Sequence, residues 1–163
     1  MLRNRHPIRE KDAKEVAEAL TAMFGAEFRF GGKRVESAED EGFVVFLVDG
    51  VPMAFRREDR VVPTVKGLLE FPATKRYVTV DEGAVPFLLR GADVMAPGVV
   101  DADPEVKPGD VVWVREEKHK RPIAVGLALV SGPEMVAAEK GKAVRTLHHL
   151  RDKLWDLTQG APA

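Results

Sequence analysis

The chain has 163 residues, 45% of them hydrophobic and 31% charged, and a formal net charge of −1. It can bury a core in one domain or two small ones, and its near-neutral balance argues against a strongly basic nucleic-acid coat protein. With no cysteine it can form neither disulfides nor thiolate zinc sites, which fits a cytoplasmic protein.

Met1 to Glu10 carries early charges and no long apolar run, so no signal peptide is expected. No stretch approaches the roughly 18 apolar residues of a membrane span. Asn4 and Gln159 are the only side-chain amides, a composition that fits a heat-adapted source or a biased genome.

Arg3, Arg5, His6, Arg9 and Lys11 make a basic amino terminus, either an arm for ribosomal RNA or a frayed, solvated end. From Ile8 to Phe24, apolar Val16, Ala17, Leu20, Met23 and Phe24 recur at helical spacing, and Gly25 stops the helix. Phe28 to Phe30 predicts a strand start, with Gly31-Gly32 turning into Lys33 to Glu36. Phe43 to Val48 reads as a buried strand, and Asp49-Gly50 as a hairpin turn into Val51 to Arg57. Pro52 weakens that second strand at its start or places it at a sheet edge. Val61 to Thr64 is read as a turn, with Thr64 capping a short helix through Glu70. Proline-marked Pro72 to Lys75 is the expected domain boundary.

Tyr77 to Val80 is β-prone, and Asp81 can cap a helix from about Glu82 to Arg90 that Gly91 ends. Val94-Met95 resumes an extended run, which Pro97-Gly98 closes. Val111 to Val114 and Pro122 to Val130 read as paired strands joined by a charged loop, Glu116 to Arg121. Ser131 and Glu134 form a capping box for a helix over Pro133 to Ala138. Lys142 to Leu147 reads as the last strand, Leu150 to Trp155 as a final helical turn, and Gly160 to Ala163 as a frayed tail.

Three segments carry a resemblance. They are Val78 to Ala84 (V-x-V-D-x-G-A), the run Val85 to Leu89 followed by Arg90-Gly91-Ala92-Asp93-Val94-Met95-Ala96-Pro97-Gly98, and the later Lys107 to Val112 with Pro122 to Gly126. This half resembles the PUA domain, a small RNA-binding β-barrel named after pseudouridine synthases and archaeosine transglycosylases. With the first half and the ending His148 to Trp155, the whole resembles archaeal PUA proteins similar to the malignant T-cell amplified sequence translation factor and to the amino-terminal part of ligatin. The expected fold class is α+β: a small α+β N-terminal domain over residues 1–72, followed by a PUA-like β pseudo-barrel over 76–157.

The resemblance implies an RNA groove lined by the helix after Asp81, its following turn and the last strand. The candidate RNA-binding residues are Arg90, Gly91, Ala92, Asp93, Met95, Pro97 and Gly98, joined by Lys140, Lys142 and Arg145 if the last strand runs beside Arg90. Glycine admits a close backbone, arginine pairs with phosphate or stacks on a base, and methionine offers a soft apolar face. Met95 and the glycines also read as core and turn residues. Lys120 and Arg121, in the cluster Lys118 to Arg121, either steer phosphates or are lysine-rich loop charge that blunts strand pairing. Trp113 reads as core or as an outward stacking platform.

No catalytic constellation is expected. His148 and His149 point to opposite faces of a strand and cannot readily share a metal ion. Ser37 and Ser131 read as loop and cap residues, and no phosphate-binding or dinucleotide glycine fingerprint is present. The expected function is non-catalytic RNA binding in translation, with no cofactor, no membrane and no small-molecule substrate. The resemblance implies tRNA or rRNA as partner, together with the small ribosomal subunit and a partner translation factor, in initiation, reinitiation or recycling. Two other classes remain open on the residues: an accessory subunit that delivers RNA to a tRNA or rRNA modification complex, and a protein-interaction module that binds no RNA.

Overall fold

The structure, a computed structural model, describes residues 2–159. In chain order the first half runs β1 (Arg3–Pro7), α1 (Glu10–Phe24), β2 (Val35–Asp40), β3 (Phe43–Val48), β4 (Val51–Arg57), β5 (Arg60–Pro63) and α2 (Val65–Glu70). The strands form an antiparallel meander in sequence order. Helix α1 buries Ala13, Val16, Ala17, Leu20 and Phe24 against it. Its end is Gly25, left-handed at φ +64°, with its N–H on the Thr21 carbonyl.

Four local expectations for this half change. The basic amino terminus is neither arm nor frayed end. It is β1, an edge strand paired with β2, where the Arg5 guanidinium bonds both oxygens of Glu36 at 2.9 and 3.1 Å. That bond, outweighing burial, holds the Glu36 carboxyl below its usual range. Phe28–Phe30 is irregular rather than a strand, because both rings turn onto Phe71, with centroids 5.3 and 6.2 Å away. Residues 61–63 are strand, not turn: Val61 and Val62 pair with Arg56 and Phe55, and Pro63 ends an edge strand where its missing N–H costs little. Finally, Pro52 lies in an interior strand. Leu47 faces Pro52 while Phe46 faces Ala54, so Met53 is the extra residue of a bulge, and its carbonyl accepts from Thr64 N–H.

The second half runs β6 (Tyr77–Val80), a 3₁₀ turn (Glu82–Ala84), α3 (Val85–Leu88), β7 (Val94–Met95), a second 3₁₀ turn (Ala96–Gly98), β8 (Val99–Ala102), β9 (Val111–Glu116), β10 (Pro122–Ala128), α4 (Gly132–Ala137), β11 (Lys142–His149) and α5 (Lys153–Thr158). The strand order is β7-β11-β10-β9-β6-β8, with β6 and β9 parallel and the other pairs antiparallel. The sheet curls into a nearly closed barrel. Gly126 lets it bend: a Cβ there would stand 2.2 Å from the Arg145 carbonyl, at the register shift between β10 and β11.

The helix expected from Glu82 to Arg90 is broken. Asp81 caps it as expected, accepting from Ala84 N–H at 3.0 Å, but α3 ends at Leu88. Arg90 N–H and Gly91 N–H reach only three residues back, to Phe87 and Leu88, so the last turn tightens and swings the chain into β7. The final helix also starts later than expected. Asp152 caps it through Trp155 N–H, and residues 160–163 of the expected frayed tail lie outside the described residues.

Alternation along β9 divides two apolar clusters. Val112 and Val114 point into the barrel with Val78, Val80, Leu88 and Ile123. Val111 and Trp113 point the other way, with Val125 of β10 and Leu154 of α5, into the cluster that contains Leu20, Phe24 and Phe55. Trp113 therefore does turn out of the barrel, yet it is 4% exposed, with its indole N–H on the Lys75 carbonyl at 2.8 Å. It is core, not a stacking platform.

Candidate nucleic-acid interface

Strand β7 is the sheet edge and lies on β11, pairing Met95 with Lys142 and Val94 with Val144. The contact continues past the ladder. Asp93 Oδ1 accepts from Thr146 N–H at 3.0 Å, and the Ala92 carbonyl accepts from Thr146 Oγ1 at 2.9 Å. Gly91, at φ +91°, sits beside the His149 ring, where a Cβ would lie 3.4 Å from Nε2. Residues 91–95 thus run antiparallel along β11 from His149 back to Lys142. The last strand therefore runs beside the turn that follows Arg90.

Arg90, Gly91, Ala92, Pro97, Lys140 and Lys142 are exposed, and Arg145 is half-buried. Met95 is 47% exposed, so its side chain lies at the surface. Gly98 is half-buried and serves packing, with its carbonyl on Asp81 N–H and an added Cβ only 3.3 Å from Ala84. Two of the cations already hold partners. Lys142 Nζ lies 3.0 Å from Asp93 Oδ2, and Arg145 donates to Glu58 Oε2 at 3.0 Å from the β4–β5 turn. Burial pushes the Asp93 carboxyl up. The bonds from Thr146 N–H and Lys142, with the charges of Lys142 and Arg145, outweigh it and hold the group below its usual range.

Lys120 and Arg121 are not part of this edge. They sit on the β9–β10 turn, at the Pro122 end of β10, whereas Lys142 lies beyond its Ala128 end. That turn is organised around Glu116, whose carboxylate accepts from His119 N–H and Arg121 N–H. Burial raises the Glu116 carboxyl, but these bonds and the nearby basic charges more than offset it, leaving it lowered. Arg115 is committed as well, stacked 4.0 Å over Tyr77 with its Nε–H on Thr79.

The other end of β11 is structural. His148 is 1% exposed; its Nε2 accepts from Val65 N–H at 3.1 Å, so the ring proton of the neutral imidazole lies on Nδ1, facing Asp152 at 2.8 Å. His149 instead turns to the Leu150 carbonyl. Among the described residues no group of three or more His, Asp or Glu is placed to hold a metal ion, and no helix is long and apolar enough to cross a membrane.

Three features here escaped sequence reading. Glu58 lies 87 residues from Arg145, and no local pattern links them. Asp152, which caps α5 and bonds His148, was not singled out in the sequence. Phe87 stands in the apolar run Val85 to Leu89 and was not among the candidate residues, yet it is 60% exposed; the neighbouring Pro86 was the available clue.

Comparison with known proteins matches the PUA domain over residues 76–150 and a domain of unknown function, DUF1947, over residues 4–70. The uncharacterized protein MJ1432 of Methanocaldococcus jannaschii is 46% identical over 157 residues, covering 95% of this chain and 97% of that one. A conserved PUA domain protein of Thermoplasma acidophilum superposes with a TM-score of 0.82 at 34% identity, covering 95% of this chain and 99% of that one. This chain belongs to the PUA-domain protein family. Within it, the Malignant T-cell-amplified sequence 1 homolog of Drosophila melanogaster is 37% identical over 126 residues, 75% of this chain and 69% of that one. Translation machinery-associated protein 20 of Saccharomyces cerevisiae is 31% identical over 120 residues, 70% of this chain, and the match spans 66% of the yeast protein's length.

Proposed function

We propose that this PUA protein is a non-catalytic RNA-binding factor of the translation machinery, and that it takes an unpaired stretch of tRNA or rRNA along the β7–β11 edge. Its setting on this reading is the small ribosomal subunit, with a partner translation factor, during initiation, reinitiation or recycling. The observation that carries the reading is the alignment of Gly91–Met95, with Gly91, Ala92 and Met95 exposed, along Lys142–Thr146, beside Arg90, Lys140, Lys142 and Arg145. The translation context comes from the names of the relatives.

The physics needs no strongly basic protein. A near-neutral chain binds RNA when a few cations lie in a row, each adding salt dependence. The ion pairs of Lys142 and Arg145 do not block this. Exposed pairs of this kind contribute about 0–1 kcal/mol, so a phosphate can replace the carboxylate at low cost. Asp93, still held by Thr146 N–H, then positions β7 rather than meeting the phosphate itself. Gly91 and Ala92 leave room for the sugar-phosphate backbone, and Met95 offers an apolar surface to a base. Lys120 and Arg121, at a distance, add long-range attraction.

The test is anisotropy titration with tRNA, with and without its terminal CCA, across a salt series. Arg90→Ala, and Lys142→Ala combined with Arg145→Ala, are expected to weaken binding about ten-fold and to flatten the log–log salt slope, with melting temperature unchanged. Parent-like affinity in both variants at equal salt would remove this edge as the site.

A further inference from the structure

Phe87 is the most exposed large hydrophobic side chain among the described residues, at 60%. The residue after it, Leu88, is 1% exposed and fills the barrel interior, so the short helix α3 sends the leucine inward and holds the phenylalanine ring outward. The outward ring has no aromatic or cationic partner among the described residues. Its backbone is firmly placed: the Phe87 carbonyl accepts from both Arg90 N–H and Ala92 N–H at 3.1 Å. The residue that carries the ring therefore also ties down the turn presenting Arg90, Gly91 and Ala92. Phe87 and Arg90 are joined by the three-residue turn that the Arg90 N–H bond closes.

We infer that Phe87 is a stacking platform for one unpaired base of the bound RNA, with Arg90 on the phosphate beside it; this rests on the RNA reading proposed above. The surroundings fit a base better than a protein side chain. An apolar protein partner needs a contiguous patch. Beside Phe87 in the chain only Pro86 adds exposed apolar surface; past buried Leu88 and half-buried Leu89 come Arg90, open Gly91 and Ala92, and Asp93, whose carboxylate is already occupied by Thr146 N–H and Lys142. A single exposed ring beside a cation and a bare stretch of backbone can take the face of any of the four bases, because stacking does not depend on their hydrogen-bonding edges.

The experiment uses the full chain and a short unpaired RNA, with three variants measured across salt. Phe87→Ala is expected to lose about ten-fold in affinity with the parent's salt slope, because stacking releases no counterions. Phe87→Leu should lose nearly as much. Phe87→Trp should keep the affinity, with its indole emission quenched when RNA is added. Melting temperatures should match the parent's, since the ring is at the surface. The inference is overturned if Phe87→Ala binds within two-fold of the parent, if Phe87→Leu binds like the parent, or if the loss comes with a flattened slope. A parent that binds no RNA at any salt instead defeats the proposed function itself.

Discussion

The two ends of β11 treat the same kinds of charged and titratable group in opposite ways. At the carboxyl-terminal end His148 is buried, with both ring nitrogens bonded, one to Val65 N–H across the seam and the other to Asp152. At the amino-terminal end Lys142 and Arg145 meet carboxylates with much of each pair open to water: the side chains are 61% and 25% exposed for Lys142 and Asp93, and 41% and 55% for Arg145 and Glu58. The buried end has nothing to exchange with, so it holds the two halves in place. The open end holds its partners weakly enough to trade them. A single eight-residue strand thereby anchors the fold and, on the proposed reading, offers RNA its cations.

The largest effect should come from breaking the buried end. His148→Ala leaves Val65 N–H without its acceptor and opens a void beside Phe55, whose ring centroid lies 6.0 Å away. We expect a loss of about 3 kcal/mol, read by denaturant unfolding. Asp152→Asn is next, at about 1–2 kcal/mol at neutral pH, because it weakens the helix cap and the bond to His148. This effect carries a pH signature. Burial pushes the Asp152 carboxyl up, but the bonds from His148, Trp155 N–H and His149 N–H outweigh it, so the folded group titrates below its usual range. Its stabilisation is complete above the unfolded carboxyl value of about 3.9 and is lost as pH falls through the lower folded value. The stabilities of parent and Asp152→Asn should converge in acid; curves that stay parallel there would show that Asp152 contributes no charge-dependent stability.

The smallest effect probes the open end. Glu58→Gln frees Arg145 of its carboxylate, so RNA affinity should rise about two- to three-fold, and stability should change by no more than about 0.5 kcal/mol. The gain should vanish when Arg145→Ala is added. A gain that persists in that background would place the benefit elsewhere on the surface.

Legibility from sequence followed the range of each interaction. Local rules found α1 and its Gly25 stop, the Asp49-Gly50 hairpin, the Thr64 and Asp81 caps and the Ser131–Glu134 capping box, because each is fixed within a few residues. They failed where a distant partner decided. Residues 61–63 became strand because β4 was there to pair with, and Phe28–Phe30 lost strand geometry to Phe71. The candidate site followed the same division. The motif Arg90–Gly98 was readable, and its meeting with Lys142–Thr146 came from the family resemblance. The pairing of Arg145 with Glu58 had no local trace, and the exposure of Phe87 was hidden inside an apolar run that otherwise reads as interior.

Trp113 and Val125 belong to the barrel sheet by backbone and to the α1 cluster by side chain, and Leu154 of the terminal helix joins the same cluster. Neither sheet can melt without stripping the other of its oil, so heating should produce one cooperative transition rather than two. A fragment ending near residue 72 would bare a greasy face where those three side chains sat and would tend to aggregate. Severing the intact chain between the sheets, by contrast, should leave two pieces that stay together until that common interior gives way.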